Sequence, residues 1–235
     1  MVLYTPKHFE QKDFGRTLRL IRDNPLSTII SGSSSYLSTQ VSLEISHIPF
    51  TIRSYDESTR EILLIGHMAK QNDQVAQLEK TGEATVVFRS SYDSYISAAW
   101  YESKKEHHKV VSTWDYAALH CDCEVRVIRD DPQWMLGMLE ETTGNYEGMR
   151  NGDKLIEERW KVSDAPTEYI NALMKGIVGL EVKVKAFKSK VKANQNKPAK
   201  DVSKILKGYE EEIGGPKAAA MREMTAEEHP RADLL

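Results

Sequence analysis

The sequence is short of cysteine, with Cys121 and Cys123 as its only two among 235 residues. Because a single residue separates them, both side chains would lie on the same face of a strand. No further cysteine or histidine stands at the spacing that a zinc site needs. The pair therefore predicts two buried thiols in a reducing compartment, and not a zinc module or a disulfide-stapled secreted domain.

Long hydrophobic runs are also absent. The first 14 residues contain no apolar signal core, and no stretch approaches the length that spans a membrane. Lysine and arginine total 32 against 35 acidic residues, so the formal net charge of −3 gives no general attraction for nucleic acid. These absences predict a cytoplasmic protein without a membrane segment and without direct contact to nucleic acid.

Hydrophobic residues make up 40% of the chain, which is enough to bury a sizeable core. Apolar patterns of period two or short β-branched runs predict strands over 26–31, 36–52 (one bent strand or two), 61–68, 83–89, 94–101, 119–128 and 177–187. Helical spacing with caps and stops predicts helices over 13–25, 72–82, 130–144, 163–176 and 197–215.

Consecutive strands with short connections predict an antiparallel barrel decorated by a few helices. We expect one domain over residues 1–215. Residues 216–235 lack a sustained apolar stripe, so we expect a tail that is flexible or docks on a partner.

The stretch LIGHMAKQND, residues 64–73, joins a strongly apolar strand to a helix start. The first amides of a helix lack partners within it and the helix dipole is positive there, so a negatively charged group is stabilised at that end. Lys70 adds a full positive charge, and His67 and Asn72 can donate hydrogen bonds. The stretch is either a phosphate-binding site or an ordinary strand-to-helix connection with polar surface residues.

Several further blocks occur in the order YTPKHF (4–9), SHIPF (46–50), SYISAAWYE (94–102), STWDYAALH (112–120), EYINALMKGIVGLEVKV (168–184) and KVKANQN (190–196). Together with LIGHMAKQND they resemble the PaiB-type family of FMN-binding split-barrel proteins. The resemblance covers roughly residues 4–200. It departs from the family pattern at Ala98 and Ser112, where the family has proline, and at Val191, where it often has tryptophan.

The resemblance implies a mainly β fold, a six-stranded antiparallel split barrel of Greek-key type with helical decorations. It implies a homodimer with FMN at the subunit interface and with LIGHMAKQND near the flavin phosphate. A planar flavin ring needs a flat apolar contact and hydrogen bonds at its edge. The predicted cofactor-binding residues are His67, Ala69, Lys70, Asn72, Ser97, Trp100, Thr113 and Trp114.

The predicted catalytic residues are Tyr116 and His120. His120 lies on the polar side of its strand and is either an acid or base, or a partner for Asp122 or Glu124. The lysine-rich stretch 183–200 places Lys183 and Lys185 on one strand face, which we interpret as a solvated surface.

Three functions remain open. The first is an FMN-dependent oxidoreductase-type protein acting on a small molecule. The second is a transcriptional regulator or ligand sensor without turnover, suggested by the family's regulator label and by the departures at Ala98, Ser112 and Val191. The third is a cofactor-independent enzyme that uses the same cleft, with His67, Trp114, Tyr116 and His120 as its key residues.

Overall fold

The computed structural model describes residues 3–35, 38–150 and 158–229, and it shows a β-sheet with helices packed against it. The strands are β1 Leu26–Ser35, β2 Ser38–Pro49, β3 Thr51–Asp56, β4 Glu61–Ala69, β5 Glu83–Arg89, β6 Ser94–Ile96, β7 Thr113–Ile128 and β8 Ile177–Lys192. The helices are α1 Phe14–Asp23, α2 Gln74–Thr81, α3 Lys104–His107, α4 Pro132–Met149, α5 Thr167–Met174, α6 Ala199–Gly208 and α7 Gly215–Glu228. A π-helical turn, Tyr209–Ile213, joins α6 to α7.

The strand order is β2-β1-β5-β7-β8-β4-β3, and β6 pairs with β7 beside this path. The pairs β1–β2, β1–β5, β3–β4, β4–β8 and β6–β7 are antiparallel. The predicted fold class, a mainly antiparallel split-barrel-like sheet with helices, is confirmed. The strand count is corrected from six to eight in the described part of the chain, because short strands such as β6 join the sheet.

The chain divides into two compact units. The first unit comprises residues 21–88 and 120–187, and the second comprises residues 2–20, 89–119 and 188–235. In the first unit, α4 packs on the sheet through a cluster of Ile65, Met135 and Met138, with Trp134 against it. In the second unit, α6 and α7 enclose a cluster that includes Tyr101, Leu206 and Met221.

Several predicted elements are longer or shorter in the structure. The strand predicted over 94–101 ends at Ile96, because Ser97 accepts a hydrogen bond from the Ala99 amide and begins a 3-10 turn. Strand β8 continues to Lys192, five residues beyond the predicted end. Cys121 and Cys123 are buried free thiols on β7, as the sequence predicted.

The predicted tail differs most from the structure. Residues 215–228 form helix α7, whose Ala218, Met221 and Thr225 are buried. The apolar stripe was missed because alanine and threonine supply part of it. Residues 230–235 of the predicted tail lie outside the described residues. In the described part of the chain, no helix combines the length and apolar character needed to cross a membrane.

Candidate functional site

The β4–α2 connection in the first unit carries four of the predicted cofactor-binding residues. Asp73 stands at the N-cap position of α2 and makes no side-chain cap bond. Asn72, one residue earlier, supports the helix start, since its side-chain oxygen accepts from the Gln74 amide at 2.9 Å and its amide group donates to Ser46 Oγ at 2.9 Å. The Asn72 carbonyl accepts from the Val75 amide, and the Ala69 carbonyl accepts from the Asn72 amide. These bonds occupy the Gln74 and Val75 amides at the helix start, whereas the Lys70 ammonium group stays available to an anion.

Lys70 lines a cavity of about 400 Å³ in the first unit. Arg129, Asn171 and Lys175 supply further hydrogen-bond donors to its wall, and Met135 and Met174 supply apolar surface. The backbone fixes this arrangement, because the Lys70 amide donates to the Gly176 carbonyl at 2.9 Å and Ala69 pairs with Ile177. The end of β4 and the start of β8 thus hold Lys70 and Lys175 on one cavity.

The charges of the cavity favour an anion. Arg129 is engaged by Glu79 through two hydrogen bonds, and Asp130 also lines the wall. The ammonium groups of Lys70 and Lys175 form no hydrogen bond or ion pair with any other residue that the structure describes. Two uncompensated ammonium groups and one amide are a donor set that suits a phosphate or carboxylate.

A larger groove of about 1090 Å³ also lies within the first unit. Four carboxylates line it, those of Glu79, Glu83, Asp122 and Glu124, against the cations of Arg126 and Lys185. Like charges repel an anionic group, so the smaller cavity beside Lys70 fits a phosphate better than the groove does.

His67 and His120 also lie in the first unit. Burial lowers the pKa of both imidazoles, and at His120 the charge of Asp122 opposes this effect. His67 is two residues from Ile65 on β4, so it shares the sheet face on which α4 packs. The Nδ1 atom of His120 is buried without a hydrogen-bond partner among the described residues. Burial therefore favours the neutral form of both imidazoles.

In the second unit, the STWDY segment places Thr113, Trp114 and Tyr116 along β7. The Trp114 indole is 49% exposed, and its Nε1 donates to Asp93 at 3.1 Å. The ring centroid of Tyr95 lies 6.1 Å from that of Trp114. The two rings are tilted by 59°, so the flat apolar contact that the sequence predicted for a flavin ring is the exposed face of the Trp114 indole alone.

Two lysines of β8 contact this segment. Lys190 Nζ donates to the Tyr116 hydroxyl at 2.9 Å, and Lys192 Nζ donates to Thr113 Oγ1 and to the Trp114 carbonyl. The Tyr116 oxygen thus accepts from an ammonium group, and its own proton is directed away from Lys190. By contrast, Lys183 and Lys185 pair with Glu61 and Glu124 on an exposed surface, as expected for a solvated sheet face.

Ser97 and Trp100 have structural contacts in the second unit. Ser97 caps the 3-10 turn. The Trp100 indole packs over Gly208, crosses the Tyr209 ring at 77° with centroids 5.9 Å apart, and donates to Glu212 at 2.7 Å. These contacts cover part of the indole, so Trp100 offers less surface to a ligand than Trp114 does.

The two family departures in the second unit contact each other. The Ala98 amide donates to Ser112 Oγ at 3.0 Å. Proline at position 98 would have no amide proton, and proline at position 112 would have no hydroxyl to receive it. The double change therefore leaves no unsatisfied donor and preserves the local backbone.

Sequence reasoning missed four residues that the structure brings to these surfaces, namely Asp115, Lys175, Lys190 and Lys192. Lys175 stands just before a predicted glycine stop, where it looked like a surface lysine. The two β8 lysines lie on a strand extension that alternation after Ala186 no longer indicates. Asp115 lies within the block STWDYAALH, and no local pattern there shows that its carboxyl group is buried.

Comparison with known proteins places these features in a family. The model of a family described as Putative FMN-binding domain matches residues 3–186. An uncharacterised protein of Saccharomyces cerevisiae is 38% identical over 160 residues, which cover 63% of this chain and 92% of that protein. An uncharacterised protein of Aspergillus fumigatus is 30% identical over 240 residues, covering 87% of this chain and 91% of that protein.

The protease synthase and sporulation protein PAI 2 of Bacillus subtilis is 25% identical over 224 residues, covering 94% of this chain and 96% of that protein. Among solved structures, a conserved hypothetical protein of Mycobacterium tuberculosis matches with a TM-score of 0.50 at 8% identity, covering 83% of this chain and 94% of that chain. This last likeness concerns the fold alone. The family match and the relatives together confirm the predicted PaiB-type resemblance, and the chain belongs to the family described as Putative FMN-binding domain.

Proposed function

We propose that this protein binds FMN and that the cavity beside Lys70 holds the flavin phosphate. The observation that carries this proposal is the pair of uncompensated ammonium groups, Lys70 and Lys175, on one cavity of about 400 Å³. A phosphate monoester carries up to two negative charges and three acceptor oxygens, which match these donors. Family membership supports the identity of the ligand.

The residues of the second unit, taken by themselves, suit contact with a flavin ring. The exposed Trp114 indole offers a flat apolar contact, and Thr113 and Tyr116 offer hydroxyl groups. When bound, FMN would supply one- and two-electron redox chemistry. Tyr116 would hold a proton that it can donate, and the neutral His120 would accept one at Nδ1 in its own unit. An oxidoreductase acting on a small molecule is the activity that these roles favour.

An absorbance spectrum and an FMN titration test the proposal. Full-length protein should be yellow or become yellow with added FMN, and bound FMN should show changed fluorescence. A charge-assisted hydrogen bond contributes about 1.5–3 kcal/mol, so Lys70→Met should weaken FMN binding roughly 10- to 100-fold. Lys175→Met should weaken it by a similar factor.

The matched control is Lys80→Met on α2, an exposed lysine of the same unit that does not line the cavity. This variant should bind FMN like the parent protein. Protein that stays colourless and takes up no added FMN would contradict the proposal. Equal weakening in all three lysine variants would show only a general effect of net charge.

We also propose that the protein is a homodimer. Leu43 and Ile45 on β2 are 60% and 57% exposed, and Ile45 pairs with the partly exposed Ile30 of β1. Their side chains lie on one face of a strand at the end of the sheet order. Exposed apolar residues on an edge strand favour pairing with another chain, and a second copy supplies a self-complementary surface.

Reduction of the bound flavin distinguishes the oxidoreductase from a ligand sensor. A reduced nicotinamide nucleotide added without oxygen should bleach the flavin absorbance if the protein transfers electrons to it. Retention of the yellow colour over many minutes would favour the sensor. Turnover of a metabolite by flavin-free protein would instead favour the cofactor-independent enzyme.

A further inference from the structure

Asp115 is a buried carboxyl group between Trp114 and Tyr116 on β7. Its Oδ2 atom accepts hydrogen bonds from the Tyr209 hydroxyl at 2.9 Å and from the Asn194 side-chain amide. Its Oδ1 atom is buried and has no hydrogen-bond partner among the described residues. Burying a charged oxygen without a partner costs more free energy than burying a neutral one, so this environment favours the protonated carboxyl group.

Burial raises the pKa of Asp115 to about 7, although the Tyr209 hydrogen bond, the charge of Lys192 and the Asn194 hydrogen bond all oppose this effect. The group is therefore neutral in mildly acid solution and ionised in mildly basic solution. Ionisation places a negative charge in the interior of the second unit, where attraction between opposite charges is strong.

Lys192 is the cation that faces this charge. Its ammonium group donates to the Trp114 carbonyl at 2.6 Å and to Thr113 Oγ1, both on the strand that carries Asp115. Burial lowers the pKa of Lys192, the charge of Asp115 raises it, and Lys190 and Lys197 lower it. Lys192 thus connects the charge of Asp115 with the backbone of Trp114.

Two tyrosines near Asp115 have raised pKa values and stay protonated near neutrality. Burial, followed by the charge of Asp115, raises the pKa of Tyr101 to about 12 and raises that of Tyr209 further. Asp201 accepts two hydrogen bonds from Ser103 at 2.7 and 2.8 Å and acts on Tyr101. Asp115 is consequently the member of this cluster that changes charge between pH 6 and pH 8.

We propose that Asp115 is a positioning residue whose ionisation draws Lys192 from the Trp114 carbonyl and thereby shifts the exposed Trp114 indole. The proposal makes the flavin contact of the second unit dependent on pH, and this part rests on the proposed function. Trp114 carries the effect because its indole is exposed while its carbonyl accepts from Lys192.

Tryptophan fluorescence of the flavin-free protein between pH 5.5 and 8.5 tests the positioning role. The parent protein should show a transition with a midpoint near pH 7. Asp115→Asn should abolish the transition, because asparagine does not ionise. Trp114→Phe should remove the signal, although Trp100, Trp134 and Trp160 remain. Asp93→Asn is the control, since Asp93 is the carboxylate that accepts from the indole Nε1, and it should keep the midpoint.

Tyr209→Phe provides a second measurement that needs no change at Asp115. The variant loses a hydrogen bond that favours the carboxylate, so the midpoint should move to higher pH. A transition that persists in Asp115→Asn, or one that stays in place in Tyr209→Phe, would overturn the proposal. If Asp115→Asn does not fold, the Tyr209→Phe midpoint decides.

Titration of FMN at pH 6 and pH 8 tests the flavin contact. The parent protein should bind FMN with at least a threefold difference in affinity between the two pH values, and Asp115→Asn should not. Protein that takes up no FMN would contradict the proposed function but would leave the flavin-free fluorescence test intact. FMN binding that is independent of pH would overturn the link between Asp115 and the flavin contact.

Discussion

Single residues decide how closely α4 lies on the sheet of the first unit. A Cβ atom at Gly179 of β8 would stand 2.1 Å from the ring of Trp134. The guanidinium group of Arg53 also contacts the Trp134 ring, with its Cζ atom 5.1 Å from the ring centroid. Position 179 therefore requires glycine because the Trp134 ring lies so close to its backbone. The backbone conformation is not the reason, since the φ angle of Gly179 is not positive.

Gly179→Ala should destabilise the protein by about 1–3 kcal/mol, the usual cost of overpacking a core. Gly144→Ala is the matched control. Gly144 lies within helix α4, and a Cβ atom added there would contact no other atom within 4 Å. Alanine should stabilise that helix by about 0.5–1 kcal/mol. Urea unfolding of both variants measures the difference, and equal stabilities would contradict the contact between Trp134 and Gly179.

Asn72 shows at the residue level what local sequence can and cannot predict. Its side-chain oxygen accepts from the Gln74 amide at the helix start, a hydrogen bond between residues two positions apart in the chain. The sequence also predicted that Asn72 donates to a phosphate. In the structure its side-chain amide donates to Ser46 Oγ instead, and the approach of Ser46 is visible only in the folded chain. Lys70 remains as the phosphate ligand that we propose from this stretch.

Helix α7 is the element whose packing differs most from what its sequence pattern predicts. Met221 is 1% exposed and belongs to the cluster of Tyr101, Leu206 and Tyr209. Arg16 pairs with Glu227 and Glu228 near the end of the helix. The helix therefore completes the core of the second unit from the part of the chain where the sequence predicted a tail.

Met221→Ala should destabilise the protein by about 2–4 kcal/mol, because it removes buried methylene groups and leaves a cavity. Glu223→Ala on the exposed side of α7 should change stability by less than about 0.5 kcal/mol. Thermal unfolding followed by circular dichroism checks both values. Two neutral variants would mean that the segment behaves as a tail after all.

For the whole molecule, the proposed dimer depends on the apolar residues of β2. Ile45→Glu should convert the protein to a monomer, because a carboxylate would have to be buried without a partner in the interface. Light scattering after size-exclusion chromatography gives the mass, to be compared with the 26.7 kDa of one chain.

The control for the dimer is Ser42→Glu, which adds the same charge to the opposite face of β2. It should leave the mass unchanged. A parent protein of monomer mass at micromolar concentration would refute the dimer, and a dimer that tolerates Ile45→Glu would place the interface elsewhere.

The sequence alone determined features that depend on neighbours along the chain. These are most strands and helices, the Asn72 hydrogen bond at the start of α2, the cap at Asp131, the two buried thiols and the family. Only the tertiary structure decided that Lys175 shares a cavity with Lys70, that Asp115 is buried, and that α7 closes a core. A cap is made by residues two or three positions apart, whereas burial and paired charges depend on segments that lie a hundred or more residues apart, such as those of Arg16 and Glu227, whose approach no local pattern specifies.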